Sequence, residues 1–292
     1  MKEGATGLKW GVERRLKFIE FRLYWEGGIN RADITDFFGV SVPQASKDLS
    51  RYQELAPGNL EYDKSGKRYF TSKKFKPRFF VPDSDQYLAQ LTLAADRIEP
   101  PHETWLSKEP HVAWMPIPHR RIDPMVLRSV LSAIRENQAV EILYQSMNPS
   151  RPDALWRGIS PHAFGTDGLR WHVRAYCHIE EKFKDFLLSR CLDSREGVEA
   201  KAKASDDRQW QETIEVRLKP NPRLSKSQQR IIASDYKMKD NCLVVTLRKS
   251  LVYYFNKRLR LDVAEALDNP KEVPIVVADQ TSFQKVLAEA TG

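Results

Sequence analysis

Asn30 to Arg51, NRADITDFFGVSVPQASKDLSR, decides how the first part of this chain folds. Asn30 can cap a helix, and Asp33 three residues on complements the positive end of its dipole. Ile34, Phe37 and Phe38 supply the apolar face. Gly39 ends that helix, because it takes the left-handed backbone that a sharp turn needs. Ser41-Val42-Pro43-Gln44 then opens a second helix with an S-x-x-Q capping box. Pro43 is tolerated in the first turn, where its missing N–H would be unpaired anyway. Val42, Ala45, Leu49 and Tyr52 fall on one face, while Gln44, Ser46, Lys47, Ser50 and Arg51 lie away from its centre. Helix, Gly39 turn and helix form the helix-turn-helix pattern, whose second helix enters the DNA major groove. A plain three-helix bundle with a polar outer face has the same pattern.

The flanks add a wing. Upstream, Val12, Leu16, Ile19 and Leu23 line one face of a further helix, which Gly27-Gly28 stops. Downstream, Leu60 to Tyr62 and Lys67 to Phe70 can pair through Asp63-Lys64-Ser65-Gly66, a turn with Gly where positive φ is wanted. Helices followed by a basic-tipped hairpin make a winged helix. The candidate DNA-contacting residues are Ser41, Gln44, Ser46, Lys47, Ser50 and Arg51, with Lys64, Lys67 and Arg68 of the wing. Gln44 suits adenine N6/N7, and Lys47 and Arg51 suit phosphate or guanine.

Charge points the same way. The chain has 292 residues and a formal net charge of +8. Residues 1–80 hold 16 Lys+Arg against 10 Asp+Glu, and the remainder holds 31 against 29. Lys64 to Arg78 carries seven cations, no acid, and Tyr69, Phe70 and Phe75 between them. Such a run suits a polyanion, although a solvated hairpin and linker would look alike. Hydrophobic residues at 41% and charged residues at 29% exclude a disordered tail protein. No apolar run is long enough to span a bilayer, and Met1 to Gly4 lacks a signal-peptide core, so no membrane partner and a cytoplasmic location are expected. Cys177, Cys191 and Cys242 have no paired spacing, which speaks against a disulfide framework or zinc ribbon.

The middle of the chain reads as β-rich. Residues 83–98 suggest a helix capped by Asp83 or Ser84, and residues 99–121 an irregular, proline-rich connector. His102, His111 and His119 have no metal-ligand spacing, so no metal is expected. A helix from Asp123 to about Asn137 precedes four candidate strands: Val140 to Gln145, Trp156 to Phe164, Leu169 to Cys177 and Phe183 to Cys191. In the third, Leu169, Trp171, Val173, Ala175 and Cys177 alternate with Arg170, His172, Arg174 and Tyr176. The first set reads as core, and the second as a row of hydrogen-bond donors suited to an anion. A solvated sheet face, or a salt bridge from Arg174 or Arg190 to Asp185 or Asp193, would use the same residues.

Trp171-His172-Val173 resembles the W-Y-L signature of WYL-domain regulators. Tyr144 and Ser146, Arg157 through Ser160-Pro161-His162, and Phe186-Leu187-Leu188-Ser189-Arg190 match its surroundings. The resemblance implies a small Sm-like β-barrel that senses a ligand, following a winged helix and preceding a C-terminal extension. Its layout is most similar to compact WYL repressors beside bacterial anti-phage defence operons. It makes Tyr144, Ser146, His162, His172, Arg174 and Arg190 the candidate ligand-contacting set. The sequence departs from the signature at its tyrosine, which is His172, a titratable imidazole in place of a phenol. Tyr144 also reads as an ordinary core tyrosine, and His162 after Pro161 as a residue fixing a turn.

After a polar break at Ser205 to Arg208, the chain reads as strand (Thr213 to Leu218), helix (Ser225 to about Ala233), strand (Cys242 to Leu247), helix (Ser250 to Leu259) and strand near Leu261 to Leu267, with a tail helix at Thr281 to Ala290. Leu224-Ser225 through Gln229-Arg230 resembles the C-terminal extension of WYL proteins, which implies dimerisation. The expected architecture is an α+β multidomain chain: a winged helix-turn-helix over 1–80, a helical connector over 81–122, a WYL-like barrel over 123–204 and an α+β extension over 205–292. The expected function is a homodimeric repressor on an inverted-repeat operator. It needs no cofactor, and an anionic nucleotide-like or nucleic-acid effector controls it. A nuclease and a nucleic-acid-binding adaptor are the alternatives. The nuclease lacks a carboxylate pair, a Gly-rich phosphate loop or a nucleophile–base set.

Overall fold

The structure, a computed structural model, describes residues 8–95, 104–107, 110–113, 115, 117–197, 199–264 and 269–291. The chain divides into two units, residues 1–117 and 118–292. His102, Trp114, the tail of the 83–98 helix beyond Ala95 and residues 265–267 of the last expected strand lie outside the described residues.

In the first unit, α1 (Trp10–Glu26) ends at Gly27, whose φ of 74° and N–H to the Leu23 carbonyl form the left-handed cap. The periodicity of Leu16, Ile19 and Leu23 is borne out, but α1 also buries Phe18 and Phe21. Phe18 stacks on Phe37 within the same cluster as Leu16, whereas Phe21 packs with Leu91 and Leu106 in a second cluster, with Tyr87, Phe80 and Trp105 against them. The proline-rich connector is therefore partly core. Trp105 sits edge-on to Phe18 and Phe21 at 5.8 and 5.5 Å, and its N–H donates to Gln90 Oε1. Gln90 lies on α4 (Ser84–Ala95), whose first turn the Asp83 carboxylate caps.

The helix pair follows. Helix α2 (Arg31–Phe38) has a complete capping box between Asn30 and Asp33, and Gly39 at φ 63° ends it. Helix α3 (Val42–Leu55) begins at Ser41, whose hydroxyl accepts from the Gln44 N–H. The expected reciprocal half of the box is absent, because Gln44 Nε2 donates to Asp48 Oδ1 at 3.0 Å. The buried face of α3 is Ala45, Asp48, Leu49 and Tyr52, and Val42, expected on it, is 59% exposed. Arg15 of α1 supplies the reason: it grips the Asp48 carboxylate at 2.6 Å, so the charge can be buried and the helix turns that side inward.

The wing is a three-stranded antiparallel sheet in the order β1 (Gly28–Ile29), β3 (Arg68–Thr71), β2 (Leu60–Asp63). At its turn, the Asp63 carboxylate accepts from the N–H groups of Ser65 and Gly66. The left-handed residue is Lys67 at φ 48°, not Gly66. With the carboxylate closed over the turn, a Cβ on Gly66 would lie 2.8 Å from Asp63 Oδ2, so that is what favours glycine there.

In the second unit, α5 (Pro124–Glu136) runs from its Asp123 cap to left-handed Asn137 and covers one face of a five-stranded antiparallel sheet. The strands are β4 (Val140–Tyr144), β5 (Leu155–Thr166), β6 (Trp171–Cys177), β7 (Lys182–Leu187) and β8 (Cys191–Arg195), in the order β7-β6-β5-β4-β8. The expected strand Phe183 to Cys191 is two strands joined by a 3-10 turn at Leu188–Arg190. The turn carries the chain from one sheet edge to the other, where Cys191 pairs with Tyr144. No pairing between β7 and β8 appears among the described residues, so hydrogen bonds do not close the sheet into a barrel. The alternation along β6 is only partly borne out. Val173, Ala175 and Cys177 are fully buried, but Leu169 and Trp171 are 46% and 53% exposed. Leu169 precedes the strand and Trp171 is its first residue, both outside the cluster that α5 covers.

The C-terminal part has a short α6 (Arg208–Gln211), then β9 (Thr213–Pro220), α7 (Lys226–Asp235), β10 (Leu243–Arg248), α8 (Val252–Arg258), β11 (Ile275–Val277) and α9 (Gln280–Thr291). Its sheet runs β10-β9-β11, antiparallel throughout. The strand expected near Leu261 is instead turn as far as Ala264, and Leu261 is buried there in the core with Val252, Ile275 and Phe283. The third strand is β11, which lies directly after Pro274 and is only three residues long.

Candidate functional site

The outer face of α3 and the wing hold the first candidate set. Lys47, Ser50, Arg51, Lys64 and Lys67 are exposed. Arg51 makes a 2.8 Å pair with Glu54, but both are open to solvent, where such a pair holds weakly. Ser41 and Ser46 flank them, with Ser41 occupied as the cap. Two expected contacts are tied inward: Gln44 to Asp48, and Arg68 to the Gly28 carbonyl at 2.9 Å. Arg68 thus fastens β3 to β1.

A buried polar network holds this surface in shape. Glu20 of α1 is fully buried. Its carboxylate accepts from the Tyr52 hydroxyl at 2.9 Å and from the N–H groups of Arg78, Phe79 and Phe80 at 2.8, 2.6 and 3.1 Å. Asn59, at the start of the wing, donates to the Tyr52 hydroxyl and to the Lys76 carbonyl, and it accepts from the Lys76 N–H. One carboxylate therefore joins α1, α3 and the chain leaving the wing. Burial, then the carboxylate of Glu20, pushes the Tyr52 hydroxyl well above its ordinary value, so it stays a neutral donor.

The second set lies along the sheet of the second unit, and three of its six residues, His162, His172 and Arg174, fall on one connected polar path. Apart from that path, the Tyr144 hydroxyl accepts from the Leu187 N–H at 3.3 Å. Arg190 ends the 3-10 turn, half-buried, and its carbonyl accepts from the Gln145 N–H. The His172 ring lies 4.7 Å from the Tyr254 ring of α8. Tyr254 donates to Asp185 at 2.9 Å, and Asp185 lies 3.4 Å from Arg174. The Arg174 guanidinium grips Asp207 through Nε at 2.7 Å and Nη2 at 3.1 Å, and Nη2 also reaches Gln209. His162 Nε2 closes the path on Asp207 Oδ2 at 3.0 Å. Ser146 stands apart, its hydroxyl accepting from the Asn148 N–H in the following loop.

Burial sets the electrostatics. The face of β6 carrying His172 and Arg174 is covered by the C-terminal part, leaving these residues 6% and 4% exposed. Burial holds the His172 imidazole below its ordinary value and therefore neutral, despite the nearby Asp185. Burial alone would raise the Asp207 carboxyl, but the hydrogen bonds from His162 and Arg174 overcome it and bring it down to about 2. Burial and the Asp185 carboxylate push the Tyr254 hydroxyl far up. Asp185 was one of the internal partners that the sequence offered for Arg174, whereas Asp207 sits in the stretch read as a polar break. It is 1% exposed, and nothing local in the sequence marks it. Among the described residues no group of His, Cys, Asp and Glu is arranged to hold a metal ion. No helix there is long and apolar enough to cross a membrane. Burial lifts the Cys191 thiol to about 12, too high for a reactive thiolate.

Residues 11–93 match the winged helix-turn-helix domain of the BrxR transcriptional regulator, residues 125–195 the WYL domain, and residues 213–283 the C-terminal dimerization domain of the BrxR transcriptional regulator. The chain is 38% identical over 288 residues to the DNA-binding transcriptional repressor CapW of Escherichia coli strain KTE188, covering 99% of this chain and 96% of that protein. It is 36% identical over 285 residues to CapW of Pseudomonas aeruginosa, covering 98% and 95%. CapW of Stenotrophomonas maltophilia is 37% identical over 289 residues, with coverage of 98% and 95%.

Proposed function

The chain belongs to the CapW family of DNA-binding transcriptional repressors, and on that premise we propose that it represses transcription by binding an inverted-repeat operator as a homodimer. The observation that carries this reading is the solvent-facing row of Lys47, Ser50 and Arg51 on α3, in one unit with the exposed wing lysines Lys64 and Lys67. In this reading α3 enters the major groove, with Ser41, Gln44 and Ser46 beside it, and the wing lies on flanking phosphate. Gln44 leaves Asp48 to reach a base, and Arg68 shapes the wing. The match of residues 213–283 to a dimerization domain supports the homodimer, which sets the half-site spacing.

The same reading gives the middle sheet an effector. Tyr144, His162, His172, Arg174 and Arg190 line the path an anionic, nucleotide-like or nucleic-acid ligand would follow, with Ser146 at its margin. The strands would wrap as a small Sm-like barrel around the α5-covered core. The protein would act in the cytoplasm, need no cofactor, catalyse no reaction, and govern a phage-defence operon. A ligand shifts repression only if it binds the DNA-competent and DNA-free conformations with different affinity.

The test is a gel shift and footprint on the DNA upstream of its own gene, at fixed salt and with excess non-specific duplex. A palindromic footprint is the expected result. Equal affinity for the upstream DNA and for unrelated duplex would refute a specific repressor.

A further inference from the structure

We propose that the anion seat on β6 is filled by the chain's own Asp207, a tethered competitor, and that a phosphate-bearing effector binds by displacing it and releases the C-terminal part from the sheet. The proposal rests on the effector reading above and says what the effector must compete with.

The seat is complete without any added ligand. Asp207 Oδ2 takes Arg174 Nε and His162 Nε2, and Oδ1 takes Arg174 Nη2 and the Trp210 N–H. A guanidinium edge and an imidazole converging on two oxygens are the donors that a terminal phosphate or a carboxylate would occupy. All three side chains are nearly sealed, at 1%, 5% and 7% exposure for Asp207, Arg174 and His162. Asp207 without Arg174 is strongly disfavoured here, whereas Arg174 without Asp207 keeps its longer contact to Asp185 at 3.4 Å. An incoming anion can replace Asp207 without stranding Arg174, because Asp207 leaves for solvent as the new charge arrives.

Position makes the exchange consequential. Asp207 opens α6, which leads directly into β9 at Thr213. Gln209 on α6 bonds the same guanidinium, and Tyr254 of α8 adds its contacts to His172 and Asp185. These contacts bind the C-terminal part to β6 and β7 around one guanidinium. Beside the seat lies a cavity of about 580 Å³ whose lining includes Arg174, Lys182, Lys184 and Arg208, offset by Glu180, Asp185 and Asp206. It gives a phosphate ester room for its remaining atoms next to the seat. The tether sets a threshold: an intramolecular carboxylate acts at millimolar effective concentration or above, so a simple monoanion competes poorly. A dianionic phosphate that also fills the cavity has both the charge and the extra contacts to compete.

The probes are inorganic phosphate, a nucleoside 5′-monophosphate and a 5′-phosphorylated dinucleotide, each titrated by calorimetry into the full-length protein. Asp207→Asn keeps the shape of the seat and removes the competitor. It is expected to bind the best probe at least about tenfold more tightly than the unaltered chain, because apparent affinity falls with the fraction of open seats. Asp207→Glu retains a competing charge and is expected to stay near the unaltered value. Arg174→Ala is expected to lose binding. Should Asp207→Asn fail to fold, the unaltered protein still decides: saturating probe is expected to speed hydrogen exchange of the Trp210 amide and of β9. Unchanged exchange at saturation, or equal affinity of Asp207→Asn and the unaltered chain, overturns the displacement. No binding of any probe to folded Asp207→Asn overturns it as well. A probe that alters operator affinity through Arg174, but equally in Asp207→Asn, would leave the effector reading standing and remove the tethered competitor alone.

Discussion

Replacing Glu20 with Gln isolates the electrostatic clamp of the first unit, because the two side chains have nearly the same volume and no cavity opens. The carboxylate accepts from four donors in a fully buried site: the Tyr52 hydroxyl and the N–H groups of residues 78, 79 and 80. In the variant, one oxygen becomes an NH2 that must face either an amide N–H or the Tyr52 hydroxyl. If it faces Tyr52, the remaining oxygen meets the three amides without charge assistance, a loss of about 1 kcal/mol for each bond. If it faces the amides, a buried N–H is left without an acceptor, at a further cost of about 1–3 kcal/mol. The cheaper arrangement therefore costs about 3 kcal/mol, a large share of a typical domain stability of about 5–15 kcal/mol. The assay is hydrogen exchange in the full-length protein, read at the Phe79 and Phe80 amides. A change of 3 kcal/mol corresponds to roughly a hundredfold faster exchange where opening is in fast equilibrium. Amides of β6, in the other unit, are expected to be unaffected. Less than a threefold change at residues 79 and 80 would show that the clamp contributes nothing, and that the wing is held by apolar packing alone.

The Lys47→Ala/Arg51→Ala pair is expected to melt as the unaltered chain does, yet to bind operator DNA with a log–log salt slope smaller by roughly 0.9 for each lost phosphate contact. An unchanged slope in titrations over several salt concentrations would remove α3 from the interface. Acid is expected to weaken the second unit in two stages, followed by thermal melts across a pH series. Burial, and for His178 also Lys201, holds His172 and His178 below their ordinary values, so the unfolded chain binds their protons first and stability begins to fall below about pH 6.5. Asp207, at about 2 against an ordinary 3.8, contributes stability that is complete above about pH 4 and is lost as pH falls through 2, on the order of 2 kcal/mol. That second stage is expected to vanish in Asp207→Asn, and its persistence there would assign it elsewhere. Gly28→Ala is expected to part β1 from β3, because a Cβ would sit 2.8 Å from the Tyr69 carbonyl oxygen and 2.9 Å from Arg68 Nε. The cost is about 1–3 kcal/mol, and normal exchange at Phe70 in the variant would show that the sheet accommodates it.

What was legible in the sequence is local. The Asn30 cap, the glycine stops at 27 and 39, the stripe on α1, the wing hairpin and the helix from Asp123 each depend on residues within a few positions of one another. Hydrogen bonds of that range form in any context that leaves the segment helical or paired, so composition and spacing suffice to read them. The errors are also instructive. The stretch from Phe183 to Cys191 reads as one strand because Phe186, Leu187, Leu188 and Cys191 are apolar, and only the 3-10 turn at Leu188–Arg190, after which Cys191 pairs with Tyr144 across the sheet, divides it. Leu261 reads as a strand for the same reason, since a buried leucine in a turn has the same side chain as one in a sheet.

Which polar residues are buried, and against what, was decided by the tertiary structure alone. Asp48 is internal because Arg15 lies 33 positions away in the chain and 2.6 Å away in space. Glu20 meets the Phe79 amide across 59 positions, Arg174 meets Asp207 across 33, and Tyr254 meets Asp185 across 69. Each of these groups alone would be costly to bury, and each becomes tolerable only when folding delivers its partner. A single sequence records the charge of Arg174 and the alternation that turns it off the core. It does not record that the opposite face of β6 is covered, or that the covering element brings a carboxylate with it. The sequence by itself thus determined a DNA-reading head and a donor-rich strand, while the three-dimensional packing decided that the strand's arginine already holds an anion of its own.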